Sequence, residues 1–403
     1  MHHVSSGPPD QTPPGDDDPF KDVPIFGDLA RLFQQQGSMG WDAARQLAYS
    51  IATGGEPEPN VDPLERMGIE QLARVAELQV GQITGLTTSV TGRGITIAPV
   101  TRTQWAQRTL DDYRPMFEAL SGSLGDTSTP PVESGTDDPF AWMAPLMQML
   151  GPMMLGMTAG SMVGHLARRS FGQYDLPIPR PPSDELMLVV ANLDEFGAEW
   201  TLPPDDLRLW VCLHEVTHHA VLGVPHVRAR LEDLLSRYLS GFEPDSGGLE
   251  ERFAGLDLSD PTALARPEAL FGDPEVLLGA IQSDAQRGLL PQLEALVAAI
   301  VGYVDHVMDT IGTGLIGSYA MVTEALRRRR VEANPSNRFV ERLFGLELTQ
   351  AQYDRGAAFV AGVVERAGDD GLARLWHDER TLPTPPEVDA PGLWLARIDL
   401  PDD

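Results

Sequence analysis

Two scarcities bound this chain before any motif is read. It holds a single cysteine, Cys212, so no intrachain disulfide can form, and the composition suits a reducing compartment; the cytoplasm is the expected location. Basic residues are also scarce, 30 Lys and Arg against 59 Asp and Glu, which leaves a formal net charge of −29. Such a field repels phosphate backbones and anionic membrane surfaces, so nucleic acid is not expected as a partner. The main cationic exception, Arg327 to Arg330, reads as the solvated end of a helix. The N-terminus has no basic stretch followed by an apolar one, so export through a signal peptide is not expected.

What is present is ordinary for a globular protein: 403 residues with 42% hydrophobic composition, enough for a large core. Residues 1–26, rich in Pro, Gly and Asp, read as a disordered acidic tail. Residues 27–120 read as an N-terminal helical region, with helices over 63–86 and 102–120 and an irregular or extended connection at 92–100. Residues 121–139 form the best internal linker or loop, and 140–403 the core with a C-terminal wrapping coil. Further helices are expected at 226–240, 273–287, 290–312, 314–332, 337–344 and 349–367, giving a mainly α fold with little β structure.

Two segments invite competing readings. Residues 140–167 are long and apolar enough to span a bilayer and carry Gly156, Gly160 and Gly164 four apart, a spacing that lets another backbone approach closely. Pro145, Gln148, Pro152 and His165 interrupt the stretch, and a buried helix is the expectation rather than membrane insertion. The apolar run Leu186 to Asn192 is short enough to be a strand or a short helix; as a strand it could flank a cleft and pair an extended peptide.

The chemistry centres on His214-Glu215-Val216-Thr217-His218, an HExxH match on a helix expected over 205–222. Residues four apart lie on one helical face, so both imidazoles can reach one metal while Glu215 reaches its water. A zinc site built for catalysis needs a third protein ligand. His219 is rotated about 100° from His218 and is read as supporting or substrate-facing. His226 comes two residues too late for the extended HExxHxxGxxH spacing. Asp305 and His306, in a polar cluster on a later apolar helix, are the leading candidates, with Asp305 alternatively orienting a histidine, and Glu324 a distant fallback. Tyr303, Tyr319 or His219 could stabilise an oxyanion. Zinc would activate water with Glu215 as general base, the chemistry of peptide or amide hydrolysis, so a peptide or protein substrate is expected. Gly312-Thr313-Gly314-Leu315-Ile316-Gly317 matches GxGxxG but follows a helix rather than a strand, and reads as a helix break or close packing.

Trp41-Asp42-Ala43-Ala44-Arg45-Gln46, Phe171-Gly172-Gln173-Tyr174-Asp175, the HExxH helix followed by Val224-Pro225, Gly302-Tyr303-Val304-Asp305, and Leu382-Pro383-Thr384-Pro385 through Trp394-Leu395 together resemble the zincin-like metallopeptidase type 2 family. The resemblance covers nearly the whole chain beyond the tail. It implies a zincin-like helical metalloprotease fold, a Zn2+ cofactor, and a second helix on which Glu binds zinc and Asp supports a histidine. Val301 occupies that Glu position here and Asp305 the Asp position. Either Asp305 or His306 replaces the ligand, or the site is weakened and the protein is a non-catalytic scaffold that binds a protein or peptide partner.

Overall fold

A computed structural model describes residues 40–125, 143–244, 280–331 and 340–401. The expected tail at 1–26, the linker residues 126–139 and the first part of the expected helix at 273–287 lie outside them. The described chain is mainly helical, as its periodicity predicts: α1 (Trp41–Thr53), α2 (Pro63–Thr84), α3 (Arg102–Gly125), α4 (Met143–Ala167), α5 (Val190–Glu199), α6 (Pro204–Leu222), α7 (Pro225–Leu239), α8 (Asp284–Leu315), α9 (Tyr319–Val331), α10 (Gln350–Ala373), α11 (Pro385–Asp389) and α12 (Pro391–Ile398). Strands are few and short. β1 (Thr96–Val100) pairs in parallel with β2 (Glu185–Val189), Ile97 opposite Leu186, and β3 (Phe242–Pro244) pairs antiparallel with β4 (Ala280–Gln282).

The long helix α8 forms the centre of the core. A reciprocal Ser283/Gln286 capping box starts it, and its buried face runs from Leu289 to Gly312 against α10, α7 and α6. It is the one described helix long and apolar enough to cross a membrane, and 78% of its apolar window is buried inside the protein. Two separate helices at 273–287 and 290–312 were expected there. Instead β4 precedes one continuous helix that tolerates Pro291 in its interior, because the packed face extends through the proline.

The glycine spacing on α4 does what its pattern suggests. A Cβ on Gly160 would lie 2.3 Å from the Ala44 carbonyl oxygen, and one on Gly164 2.9 Å from that of Ala48. The small face of α1, Ala44, Ala48 and Ala52, is buried, and two helical backbones meet with almost nothing between them. A second such approach locks α8 to α10, where a Cβ on Gly302 would lie 2.3 Å from the Gly356 carbonyl carbon. Gly312, from the GxGxxG match, packs against the Tyr319 ring at the end of α8, so that match marks close packing.

The ambiguous run at 186–192 is both things in sequence, strand through Val189 and helix from Val190. β2 is flanked by β1 on one side and by the 171–172 segment on the other, with an antiparallel bridge from Gly172 to Leu188 and the Val189 N–H donating to the Phe171 carbonyl. Both sides of β2 are thus engaged, which leaves it poorly placed to accept an added peptide strand. The C-terminal segment is more regular than the expected coil. Pro385 and Pro391 stand at the first residues of α11 and α12, where a missing N–H costs no hydrogen bond, so they start helices instead of preventing them.

Candidate functional site

α6 carries His214, Glu215 and His218. Pro204 opens it, and Asp205 and Asp206 lie in its first turn, favourable at the positive end of the helix dipole. Asp206 also accepts hydrogen bonds from the Ser318 N–H (2.9 Å) and Oγ (2.6 Å), tying the start of α6 to the loop before α9. From Leu209 to Leu222 nearly every side chain of α6 is buried, so its polar residues need partners inside the protein. Cys212 is fully buried, as expected of a small apolar residue.

Glu215 is held by the turn at 171–175. Its Oε2 accepts the Gln173 N–H at 2.7 Å and the Tyr174 N–H at 2.9 Å. Gly172 is required beside it, because a Cβ there would lie 2.3 Å from the Glu215 carboxyl carbon. The turn is anchored on three sides: Asp175 Oδ1 accepts the Phe171 N–H, the Trp105 indole N–H donates to the Gly172 carbonyl at 2.7 Å, and the Asn192 amide donates to the carbonyls of Ala167 and Ser170. The second carboxylate oxygen, Oε1, is buried with no hydrogen-bond partner and lies 3.4 Å from His214 Nδ1. Burial, with the nearby Asp175 charge, pushes the Glu215 carboxyl up to about 8.

The two motif histidines are framed by aromatic rings. Trp210 stacks on His214 with centroids 5.1 Å apart, Tyr174 stacks on His218 at 6.1 Å, and the imidazoles themselves lie 4.3 Å apart. The His218 Nδ1 faces the His214 carbonyl at 3.2 Å. A carbonyl only accepts, so Nδ1 carries the proton and the neutral ring keeps its lone pair on Nε2. Burial, reinforced by Arg330, holds His214 down to about 3; burial and the adjacent His214 hold His218 well below the usual histidine range. Both are neutral near pH 7, the form that binds metal. His219 shares a 3.0 Å hydrogen bond with the Tyr174 hydroxyl, while its Nε2 is buried without a partner.

His214 and Glu215 line a cavity of about 70 Å³, and Arg169, Asp175, Arg329 and Arg330 line it with them. Arg329 and Arg330 belong to the run read as solvated, and Arg169 lies in the turn after α4. In fact the run divides: Arg327 and Arg328 are exposed and pair with Glu324, whereas Arg329 and Arg330 turn inward. Arg329 lies over the Phe171 ring at 3.6 Å and 3.5 Å from Asp175; Arg330 lies over the Tyr353 ring at 4.1 Å and 3.5 Å from Asp305.

The other candidates are distributed elsewhere. Asp305 meets Arg330, one residue removed from the cavity wall. His306, one position on, turns to Asp369 at 3.2 Å. Tyr303 packs edge-on against Trp376, Tyr319 donates to Asp309, Glu324 is on the surface, and His226 lies within electrostatic reach of Asp378 and Glu379. Among the described residues no three His, Cys, Asp or Glu side chains converge to hold a metal ion. The residues that sequence reasoning missed are Arg329, Arg330, Asp175 and the N–H groups of Gln173 and Tyr174. The 171–175 segment carried a signal as part of the family resemblance, but nothing in it announced that its backbone would hold Glu215.

Comparison with known proteins bears on the family and the fold. A family model described as zincin-like metallopeptidase matches residues 39–395. A solved structure, described as "crystal structure of a putative hydrolase with a novel fold from Chloroflexus aurantiacus", is similar with a TM-score of 0.63 and 23% sequence identity, covering 90% of this chain and 99% of that chain. At that identity the likeness speaks for the fold. Among curated proteins none matches. With the family match running from α1 into α12 and taking in the HExxH helix, the chain belongs to the zincin-like metallopeptidase family.

Proposed function

We propose that this protein is a zinc-dependent hydrolase of peptide or amide bonds, with Glu215 as general base. The observation that carries the reading is the Glu215 carboxylate, fully buried, oriented through Oε2 by two backbone N–H groups, with Oε1 unpartnered beside His214. Leaving a buried carboxylate oxygen unpaired is costly, and such costs are tolerated where the atom has work to do.

His214 and His218 fit a zinc ion as two of its ligands, since both are neutral and close together and His218 keeps its Nε2 lone pair. Zinc held there would polarise a carbonyl and lower the pKa of water. Glu215 would accept the proton of the attacking water at Oε1 and return it to the leaving amine. The Gln173 and Tyr174 N–H groups keep the carboxylate aimed through both transfers, and Trp210 and Tyr174 hold the imidazole planes. For the third ligand Asp305 is the stronger candidate, because it contacts Arg330 of the same cavity while His306 is engaged by Asp369 on the side of α10.

One observation favours the alternative of a non-catalytic scaffold that binds a peptide or protein in the cleft: Val301, where the resemblance leads one to expect the zinc-binding carboxylate, is buried and apolar. Metal analysis of the purified protein separates the two. Near-stoichiometric zinc that is lost in His214→Ala, with peptide cleavage that is lost in Glu215→Ala, is the expected result; a zinc-free protein under metal-replete conditions would sink the hydrolase.

A further inference from the structure

The cavity beside Glu215 contains more cationic side chain than the proposed hydrolysis requires. Arg329 and Arg330 come from the last turn of α9, and Arg169 comes from the turn directly after α4; all three line the same cavity as His214. In a chain with a net charge of −29, three of its 30 basic residues meet on one small cavity, whose wall Asp175, Glu215 and Glu341 share with them.

Salt bridges within the protein account for only part of it. Arg329 donates to the Arg169 carbonyl and lies 3.5 Å from Asp175, Arg330 lies 3.5 Å from Asp305, the two carboxylate contacts being longer than a tight bidentate pair, and Arg169 has its Nη1 buried with no hydrogen-bond partner. A guanidinium offers five donors in a rigid fork, so two acceptors for Arg329 and one for Arg330 leave donors over on both. Rigidity is supplied instead by the ring faces of Phe171 and Tyr353 beneath Arg329 and Arg330. Stacking fixes the plane of a guanidinium while leaving its edge available, a common way of presenting arginine to a carboxylate.

The size of the cavity narrows the ligand. About 70 Å³ beside His214 and Glu215 gives room for a small polar group such as a carboxylate. We propose that Arg329 and Arg330 form a carboxylate-binding subsite adjoining Glu215, so that the favoured substrates are amides or peptides bearing a free carboxylate close to the scissile bond. The proposal rests on the hydrolase reading for the position of that bond. The carboxylate itself could be a peptide C-terminus or an acidic side chain, and the two are separable by experiment.

Binding of three probes to the full-length protein, followed by isothermal titration calorimetry, provides the test: N-acetyl-alanyl-alanine with a free C-terminus, the same dipeptide as its C-terminal amide, and N-acetyl-aspartyl-alanine amide. A charge-assisted arginine contact predicts roughly ten- to a hundredfold tighter binding of at least one acid than of the neutral amide. The first acid alone would identify a C-terminal carboxylate, and the third probe a side-chain carboxylate. Arg330→Lys, which keeps the charge but loses the fork, should remove most of that preference. Equal affinity for acids and amide, or no saturable binding of any of them, overturns the proposal. The wild-type comparison stands even if an arginine variant does not fold. Failure of the hydrolase reading shows separately, as an absence of zinc and cleavage with acid-selective binding intact; cleavage without acid preference defeats the subsite alone.

Discussion

Gly172 and Glu215 share one volume: the carboxyl carbon of Glu215 sits where a side chain on Gly172 would have to begin, 2.3 Å from its Cβ position. The neighbouring N–H groups of Gln173 and Tyr174 reach the carboxylate because residue 172 has no side chain. Gly172→Ala is therefore expected to displace Glu215 rather than unfold the protein, since the clashing atoms belong to a side chain that can move. General bases contribute roughly 10²- to 10⁴-fold to rates, so cleavage by Gly172→Ala should fall by at least about tenfold toward the level of Glu215→Ala. Circular dichroism and zinc content should be close to wild type; a fully active Gly172→Ala would show that the position of Glu215 does not matter.

The third zinc ligand is predicted by the division between neighbours on α8. Asp305→Ala should lower zinc occupancy, and His306→Ala should leave it unchanged, because His306 is already paired with Asp369. Metal bound only to the folded state stabilises it by mass action. Chelation should accordingly lower the melting temperature of wild type and His306→Ala but have little effect on His214→Ala. The reverse ranking of the two α8 variants would assign the ligand to His306.

Asp184 provides a pH dependence away from the site. Its carboxylate accepts hydrogen bonds from Ser89 Oγ (3.0 Å), Val90 N–H (2.5 Å), Thr91 N–H (2.9 Å) and the Thr91 hydroxyl, fastening the 89–92 loop to the start of β2. Although partial burial works in the opposite direction, those hydrogen bonds hold its pKa below the ordinary 3.8. A depressed carboxylate stabilises the fold fully above the unfolded value and loses that contribution as pH falls through the lower native one. Asp184→Asn should cost on the order of 1 kcal/mol at pH 7, limited by solvent screening, and much less at acid pH below the native value. Denaturant titrations at the two pH values would show it; an equal loss at both would mean that the charge is irrelevant.

The contact of α4 with α1 predicts a large stability effect with no chemistry involved. Gly160→Leu places a side chain into the Ala44 backbone, which cannot rotate away, so the cost should reach or exceed the roughly 1–3 kcal/mol typical of overpacking. Gly288→Ala, at a position with open space around it, should be neutral or slightly stabilising. Thermal melts of the two variants test the contrast.

Most helices, the glycine stripe of α4 and the pairing of His214 with His218 were legible in the sequence because each depends on spacing along a single element. Errors arose where context decided. A break was expected between residues 287 and 290, yet α8 runs through it; the proline-bearing C-terminal segment was expected to be coil, yet Pro385 and Pro391 each open a helix. The arginine run is instructive in the same way. Four consecutive helical residues cover roughly 300° of the circumference, so a run at the end of a packed helix cannot all face water.

The sequence by itself determined that one helix carries two imidazoles and a carboxylate at metal-binding spacing; the family resemblance added that Val301 stands where a carboxylate is expected on α8. Tertiary structure alone decided the company they keep: the 171–175 turn that holds Glu215, the inward turn of Arg329 and Arg330, and the separation of Asp305 toward Arg330 from His306 toward Asp369. Helical periodicity fixes which residues of one element share a face. Contacts between residues 25 to 160 positions apart depend on how the elements pack, and no local spacing encodes that.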